Sequence, residues 1–323
     1  MSVEQNAGRP PTLGEAWRAG ANRLGQAGVE EANADAELLL LYALGIGKAE
    51  LLRDWREAFP EGKSEAWLEL LERRATGLPV QYVIGEQYFY GRAFEVTNAV
   101  LIPRPETELL AEAVLQAGDA LWPEECASEA RSLAKKDWAN GAEEAGRTFP
   151  VVLDVGTGSG ALAVTLAAER PAWRINASDL SEAALQVARS NARKHEADER
   201  ILFVQGDLLQ PFLSSAAGGG MAVDILVSNP PYIPSSDIPD LQREVRDHEP
   251  RLALDGGEDG LNPYRAMAGQ LKELPRLPRI VAWEVGAGQA RDVAELLRAA
   301  ADWTEIRFVT DYAGIERHVV AIR

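Results

Sequence analysis

Over residues 12–77 apolar positions return every three or four residues, clearest at 34–44 and 67–71, and this spacing predicts a set of amphipathic helices. The opening "TLGE" offers a capping box in which Thr12 and Glu15 satisfy each other's free amides. Across 81–102 the period changes. Aromatic and β-branched residues in "QYVIGEQYFYGRAFEVTNAVLI", broken by Gly85 and Gly91, predict a β-hairpin joining two domains. "PRPETELLAEAVLQA" then reads as a helix opened by Pro105, with acids in its first turn. Residues 123–148 are rich in Ala, Glu and Lys without an apolar face, and are expected to form a surface insertion.

After Pro150 strands and helices alternate. The strand segments are "VVLDV", "RINASD", "ILFVQGD", "VDILVSN", "RIVAWEV", "EIRFVTD" and "HVVAIR", with helices such as "ALAVTLAAER" and "QARDVAELLRAA" between them. That order predicts a mostly parallel, doubly wound α/β sheet of seven strands that binds ligands at the carboxyl ends of its strands. The last two segments, joined by a turn at Ala313 and Gly314, should add one antiparallel strand.

Composition narrows the partners. The 323 residues are 46% hydrophobic, enough for about two domains, and Lys+Arg number 33 against Asp+Glu 50, a formal charge of −17. So acidic a surface disfavours a nucleic-acid backbone as the main partner. A single cysteine, Cys126, excludes an internal disulfide and a cysteine-rich metal site. The start lacks a basic-then-apolar leader, and the apolar run "LLLLYALGIG" is too short to span a membrane, so a cytoplasmic protein is expected, with no bound metal.

The chemistry lies at strand ends. In "VLDVGTGSGALA" a strand runs into Gly156, Thr157, Gly158, Ser159 and Gly160 and then a helix, so backbone can approach a ligand at a helix N-terminus. The spacing also suits a dinucleotide. Asp154 at the strand tip would repel a pyrophosphate but attract the sulfonium and ammonium of S-adenosylmethionine. Two further strand ends carry acids: Asp179 is placed for ribose hydroxyls, and Asp207 for an adenine amino group, with Leu208 covering the ring. Asp179 is also a candidate helix cap.

The fourth strand ends in Asn229, Pro230, Pro231 and Tyr232. Two prolines cannot continue a ladder, so they hold a rigid loop. A planar –NH2 is a poor nucleophile and must be aimed at the methyl carbon. The Asn229 side chain and the Pro230 carbonyl can accept its two N–H bonds while Tyr232 packs against the planar group. No general base is required before transfer, which fits the absence of His195, His248 and His318 from the motif.

This tetrapeptide on such a fold is similar to that of amino-methyltransferases acting on adenine or glutamine. The longer stretches "PVQYVIGEQYFYGRAFEVTNAVLIPRPETE", "VSNPPYIP", "HEPRLALDGGEDGLNPYR" and "WEVGAGQA" resemble the PrmC/HemK family, the release factor glutamine methyltransferases, from about residue 12 to the end. The resemblance implies a class I S-adenosylmethionine-dependent methyltransferase, Rossmann-like, with a small N-terminal helical domain. The helical domain (1–78) would recognise peptide-chain release factors, a hairpin linker (79–102) would follow, and a catalytic domain (103–323) would methylate N5 of the glutamine in a Gly-Gly-Gln motif. It carries cofactor binding to Gly156, Thr157, Gly158, Ser159, Gly160, Asp179, Asp207 and Leu208, with Asn229 between cofactor and substrate, and substrate binding to Asn229, Pro230, Pro231 and Tyr232. Arg104, Glu106 and residues 249–251 are further candidates for the site. The insertion is longer than the family's connection, and its Lys-Pro-Gly-Gly turn is reduced to "PRLPRI". The competing readings are an adenine-N6 methyltransferase and a catalytically inactive partner subunit.

Overall fold

A computed structural model describes residues 9–123, 149–213 and 219–323. The insertion expected at 123–148 falls, apart from Pro123, outside them. The chain forms two compact units, one comprising the residues before Gln87 together with Gln242–His248, the other Gln87–Leu241 and Glu249–Arg323.

The helical unit contains α1 (Leu13–Gln26), α2 (Ala32–Leu44), α3 (Lys48–Arg53), α4 (Ser64–Ala75) and α5 (Val80–Ile84). The expected capping box is formed: Thr12 Oγ1 accepts from Glu15 N–H, and Glu15 accepts from Thr12 N–H. Leu24, Leu39, Leu40, Leu51, Trp67 and Leu71 make the core, each buried aliphatic side chain stabilising by about 1.5–3 kcal/mol. The hairpin expected from 81 onward begins later. Pro79 starts the α5 turn and Gly85, at φ +84°, ends it. Paired strands are confined to β1 (Glu86–Phe89) and β2 (Arg92–Glu95), and residues beyond β2 run without regular structure to the next helix.

In chain order the second unit continues with α6 (Pro105–Leu121), β3 (Val151–Val155), α7 (Ala161–Glu169), β4 (Arg174–Asp179), α8 (Glu182–Lys194), β5 (Ile201–Gln205) and β6 (Ile225–Ser228). There follow α9 (Arg243–His248), which belongs to the helical unit, then α10 (Asn262–Gln270), β7 (Ile280–Glu284), α11 (Ala290–Ala300), β8 (Glu305–Thr310) and β9 (Glu316–Ile322). The seven-stranded sheet has the order β5-β4-β3-β6-β7-β9-β8, parallel except for β9. Every residue of β3, β6 and β7 is buried, as central strands covered by helices on both faces require. Alternate residues feed opposite cores: Val152, Ile225 and Ala282 pack with α6 and α7, while Leu153, Leu226 and Trp283 pack with α10 and α11. From β3 the chain winds out through β4 to β5 and returns to β6 on the other side of β3. That reversal opens a crevice where ligands bind in such sheets. No helix among the described residues is long and apolar enough to cross a membrane.

Candidate active site

The register sets the carboxyl ends of four strands side by side: Val155 pairs with Ser178 and Ser228, and Asp179 with Gln205. Their loops border a cavity of about 420 Å³, within the usual range of small-molecule sites. Gly156, Thr157, Gly158, Ser159, Asp179, Asp207, Leu208, Asn229 and Pro231 are in its wall. Arg104 and Pro250 join them, while Glu106 and Arg251 do not. The sequence does not single out the segment around Ala99, Val100 and Leu101, which forms another side.

The glycine loop follows from backbone geometry. Gly156 and Gly158 sit at φ +71° and +55°, and an added Cβ at either would meet open space, so the loop leaves room for a ligand against its backbone. Gly160, outside the wall, has φ +82° and lies where a Cβ would press on Ala188 of α8 at 3.2 Å. Its role is helix packing. Ser178 carbonyl accepts from the amides of Gly156 and Thr157. Asn191 of α8 is fully buried and donates to the Ser159 and Glu95 carbonyls, both at 2.9 Å, tying the loop to β2.

Asp154 departs from its expected place. It is fully buried and absent from the wall, because its Oδ2 is taken by the Thr157 hydroxyl (2.6 Å) and by Ala163 N–H (3.2 Å) at the start of α7. Its Oδ1 has no hydrogen-bond partner. Burial pushes its pKa up to about 7, against the pull of those two hydrogen bonds. Asp179 faces the cavity and receives Gly158 N–H and Ser181 N–H, each at 2.9 Å, and burial raises its pKa too. The cap of α8 is Ser181, not Asp179, since Ser181 accepts from Ala184 N–H. Asp207 is exposed in the wall, and Leu208 beside it holds φ +48°, a strained conformation for a branched side chain and one that recurs at ligand sites.

Asn229 ends β6 with its amide fixed. Its Nδ2 donates to Thr107 Oγ1 (3.1 Å), whose hydroxyl donates to the buried Glu284 Oε2 (2.6 Å). Oδ1 of Asn229 accepts no hydrogen bond among the described residues. Pro230 and Tyr232 lie outside the cavity wall. The Tyr232 carbonyl accepts from Gln289 Nε2 (3.0 Å), its ring approaches Gly286, and burial pushes its hydroxyl up to about 12. The loop after α9 braces this turn, Ile233 N–H donating to Leu254 and Gly256 N–H to Ile233. A Cβ on Gly256 would come within 2.8 Å of the Pro231 carbonyl, so the "LDGGEDG" glycines permit that contact. Glu249 is buried, accepting from Arg104 (2.6 Å) and Ile102 N–H (3.3 Å). Thr107, Asn191, Glu284 and Gln289 were not identified from sequence as parts of the site.

Two family models match, the PrmC N-terminal domain over residues 15–85 and the methyltransferase small domain over 143–252. The chain is 39% identical over 311 residues to the release factor glutamine methyltransferases of Moorella thermoacetica and Bacillus subtilis. It is aligned over 96% of its length with 97% and 98% of theirs. The relative of that name from Chlorobaculum tepidum is 39% identical, with 90% of each chain covered. Among solved structures, the hMettl16 catalytic domain in complex with the MAT2A 3′UTR hairpin 6 superimposes with a TM-score of 0.50 at 13% identity, covering 82% of each chain, a likeness of fold alone. A class I methyltransferase sheet, a glycine loop opening onto its crevice and near full-length identity to these relatives together establish that the chain belongs to the release factor glutamine methyltransferase family, whose methyl donor is S-adenosylmethionine.

Proposed function

We propose that this chain transfers the methyl group of S-adenosylmethionine to the side-chain amide nitrogen, N5, of the glutamine in the Gly-Gly-Gln motif of peptide-chain release factors. The observation that carries this is Asn229, whose NH2 is anchored on Thr107 and whose carbonyl oxygen is left to receive a substrate amide at the cavity wall. The open faces of Gly156 and Gly158 fit a ligand lying along the loop that also contains Thr157 and Ser159. Asp179 would take the ribose hydroxyls, Asp207 the adenine amino group, and Leu208 would cover the ring. Asp154 would serve from behind, fixing Thr157 and α7, while Asp179, Asp207 and Asp255 give the wall the negative potential a cationic ligand needs.

Bound cofactor supplies an electrophilic methyl carbon on a sulfonium. The Asn229 oxygen and the Pro230 carbonyl accept the two amide N–H bonds, strengthening as the nitrogen pyramidalises and gains positive charge. Pro231 and Tyr232 hold this pair in register. Held by these two carbonyls, the nitrogen would take the methyl with the thioether as leaving group and then give its proton to water, so no side chain of the site need act as a base. Residues 1–78 would recognise the folded release factor, 79–102 would link, and 103–323 would catalyse, in the cytoplasm.

The test is methyl incorporation from labelled S-adenosylmethionine into release factor, its Gln→Asn variant and adenine-containing DNA. Release factor alone should be labelled, because one methylene less withdraws the amide, and misplacement by about 1 Å already costs about 10²-fold. Efficient labelling of DNA would transfer the chain to the adenine-directed reading. Equal labelling of both proteins would refute the glutamine assignment.

A further inference from the structure

We infer that Thr107 and Glu284 form a polarity relay that sets which end of the Asn229 amide faces the acceptor, and that they are positioning residues for methyl transfer. The inference rests on the reading of Asn229 given above and adds what fixes its orientation. An asparagine amide has nearly the same shape when flipped, but one orientation offers an acceptor and the other two donors. An acceptor side chain must show its oxygen to a substrate –NH2, since a flipped amide would set N–H against N–H.

A hydroxyl has a single proton. Thr107 spends it on the Glu284 carboxylate at 2.6 Å, which has only acceptors to offer. The Thr107 oxygen is then left able only to accept, and the group 3.1 Å away must be the Asn229 NH2. Oδ1 is therefore directed away from Thr107. Each member is held by the fold. Thr107, 4% exposed, is in the first turn of α6, and its N–H donates to the Arg104 carbonyl. Glu284, 2% exposed, ends β7, and its carbonyl accepts from Tyr264 Oη at 2.6 Å. Across the ladder, His318 Nε2 is 3.7 Å from Oε2, too far to compete for the carboxylate as a hydrogen bond. Glu284 lies 177 residues from Thr107, and the cavity wall includes Thr107 but not Glu284. Its influence on the substrate passes through two other side chains.

Thr107→Val keeps the shape and removes the hydroxyl, Thr107→Ser keeps the hydroxyl, and Glu284→Gln introduces a donor that can reverse the relay. With whichever planar amine the wild-type chain methylates, Thr107→Val and Glu284→Gln should lower kcat about 10²-fold, leave cofactor affinity within error, and melt near wild type. Thr107→Ser should restore kcat. A full-rate Thr107→Val, or a Thr107→Ser as slow as Thr107→Val, overturns the relay, whereas a wild type inactive on release factor counts against the proposed substrate. An activity-independent arm uses selective 15N-asparagine labelling, with the Asn229 side-chain signal assigned by its loss in Asn229→Ala. Its NH2 resonance should be protected from exchange in wild type and Thr107→Ser and should move and lose protection in Thr107→Val. An unchanged signal in Thr107→Val also overturns the relay.

Discussion

Asp154 has an acidity that the fold imposes. In the unfolded chain its pKa is 3.8, and burial in the native state raises it to about 7. Between those values the native state keeps a proton that the unfolded state has released. By linkage the contribution of this group to stability is therefore largest below about pH 4 and is lost as pH rises towards about 7. Asp154→Asn retains an oxygen for Thr157 and Ala163 but cannot titrate. In urea unfolding at several pH values, the variant should gain on wild type with rising pH, by at most about 1.4 kcal/mol per unit, and level off above about pH 7. Parallel stability curves would show that the carboxyl does not titrate in this window. At this scale the sequence was readable where residue type itself dictates position: Gly156 and Gly158 hold positive φ against the cavity, and Asp179, Asp207 and Asn229, each at a strand end, are in its wall. Thr107 and Glu284 were not, because a threonine in a first helical turn and an acid ending a strand have ordinary structural uses. Only folding brings together residues 122 and 177 positions apart. Asp154 was misplaced because charge argues for a partner without saying which way a side chain turns.

At the scale of elements, the glycine-rich loop after α9 and the Asn-Pro-Pro-Tyr turn act as one piece. Gly260 sits at φ +77°, and a Cβ there would overlap the Tyr232 carbonyl oxygen and meet Gln289 Nε2, the group that bonds this carbonyl. Gly260→Ala must therefore displace the turn or break the Gln289 contact. It is expected to cost at least about 1 kcal/mol of stability and about tenfold or more in methyl transfer, with cofactor affinity nearly unchanged because the Gly156 loop is built on another strand. Calorimetric titration beside a rate assay separates the two, and equal losses in both would show that the loops are not independent. Strand positions were legible in the unit that holds the seven-stranded sheet because buried parallel strands read as short apolar runs between turn signals. The stretch from Val80 to Ile84 was not. Four of its five residues, all but Gln81, carry strand-favouring side chains, and the boundary residues Pro79 and Gly85 make it a single helical turn.

At the scale of the whole molecule, the helical unit has a charged centre. Arg74, 3% exposed, bonds Asp35 at 2.7 Å and Glu244 at 2.5 Å. Burial raises the pKa of Asp35, against the pull of Arg74. Arg74→Met would strand Asp35 and should cost about 3–5 kcal/mol, whereas adding Asp35→Leu should recover much of it. Denaturant unfolding followed through Trp17, Trp55 and Trp67 is the measurement, and a neutral Arg74→Met would refute the network's importance. Glu244 has a further consequence. A ribosome makes this chain from one end, and Arg74 emerges 170 residues before its second partner. By then β3 to β6 and the Asn229 turn already exist as polypeptide. The amino-terminal helices are thus completed only after the first four strands of the sheet have been made and before its last three, and their final gain in stability records that synthesis has passed the Asn229 turn.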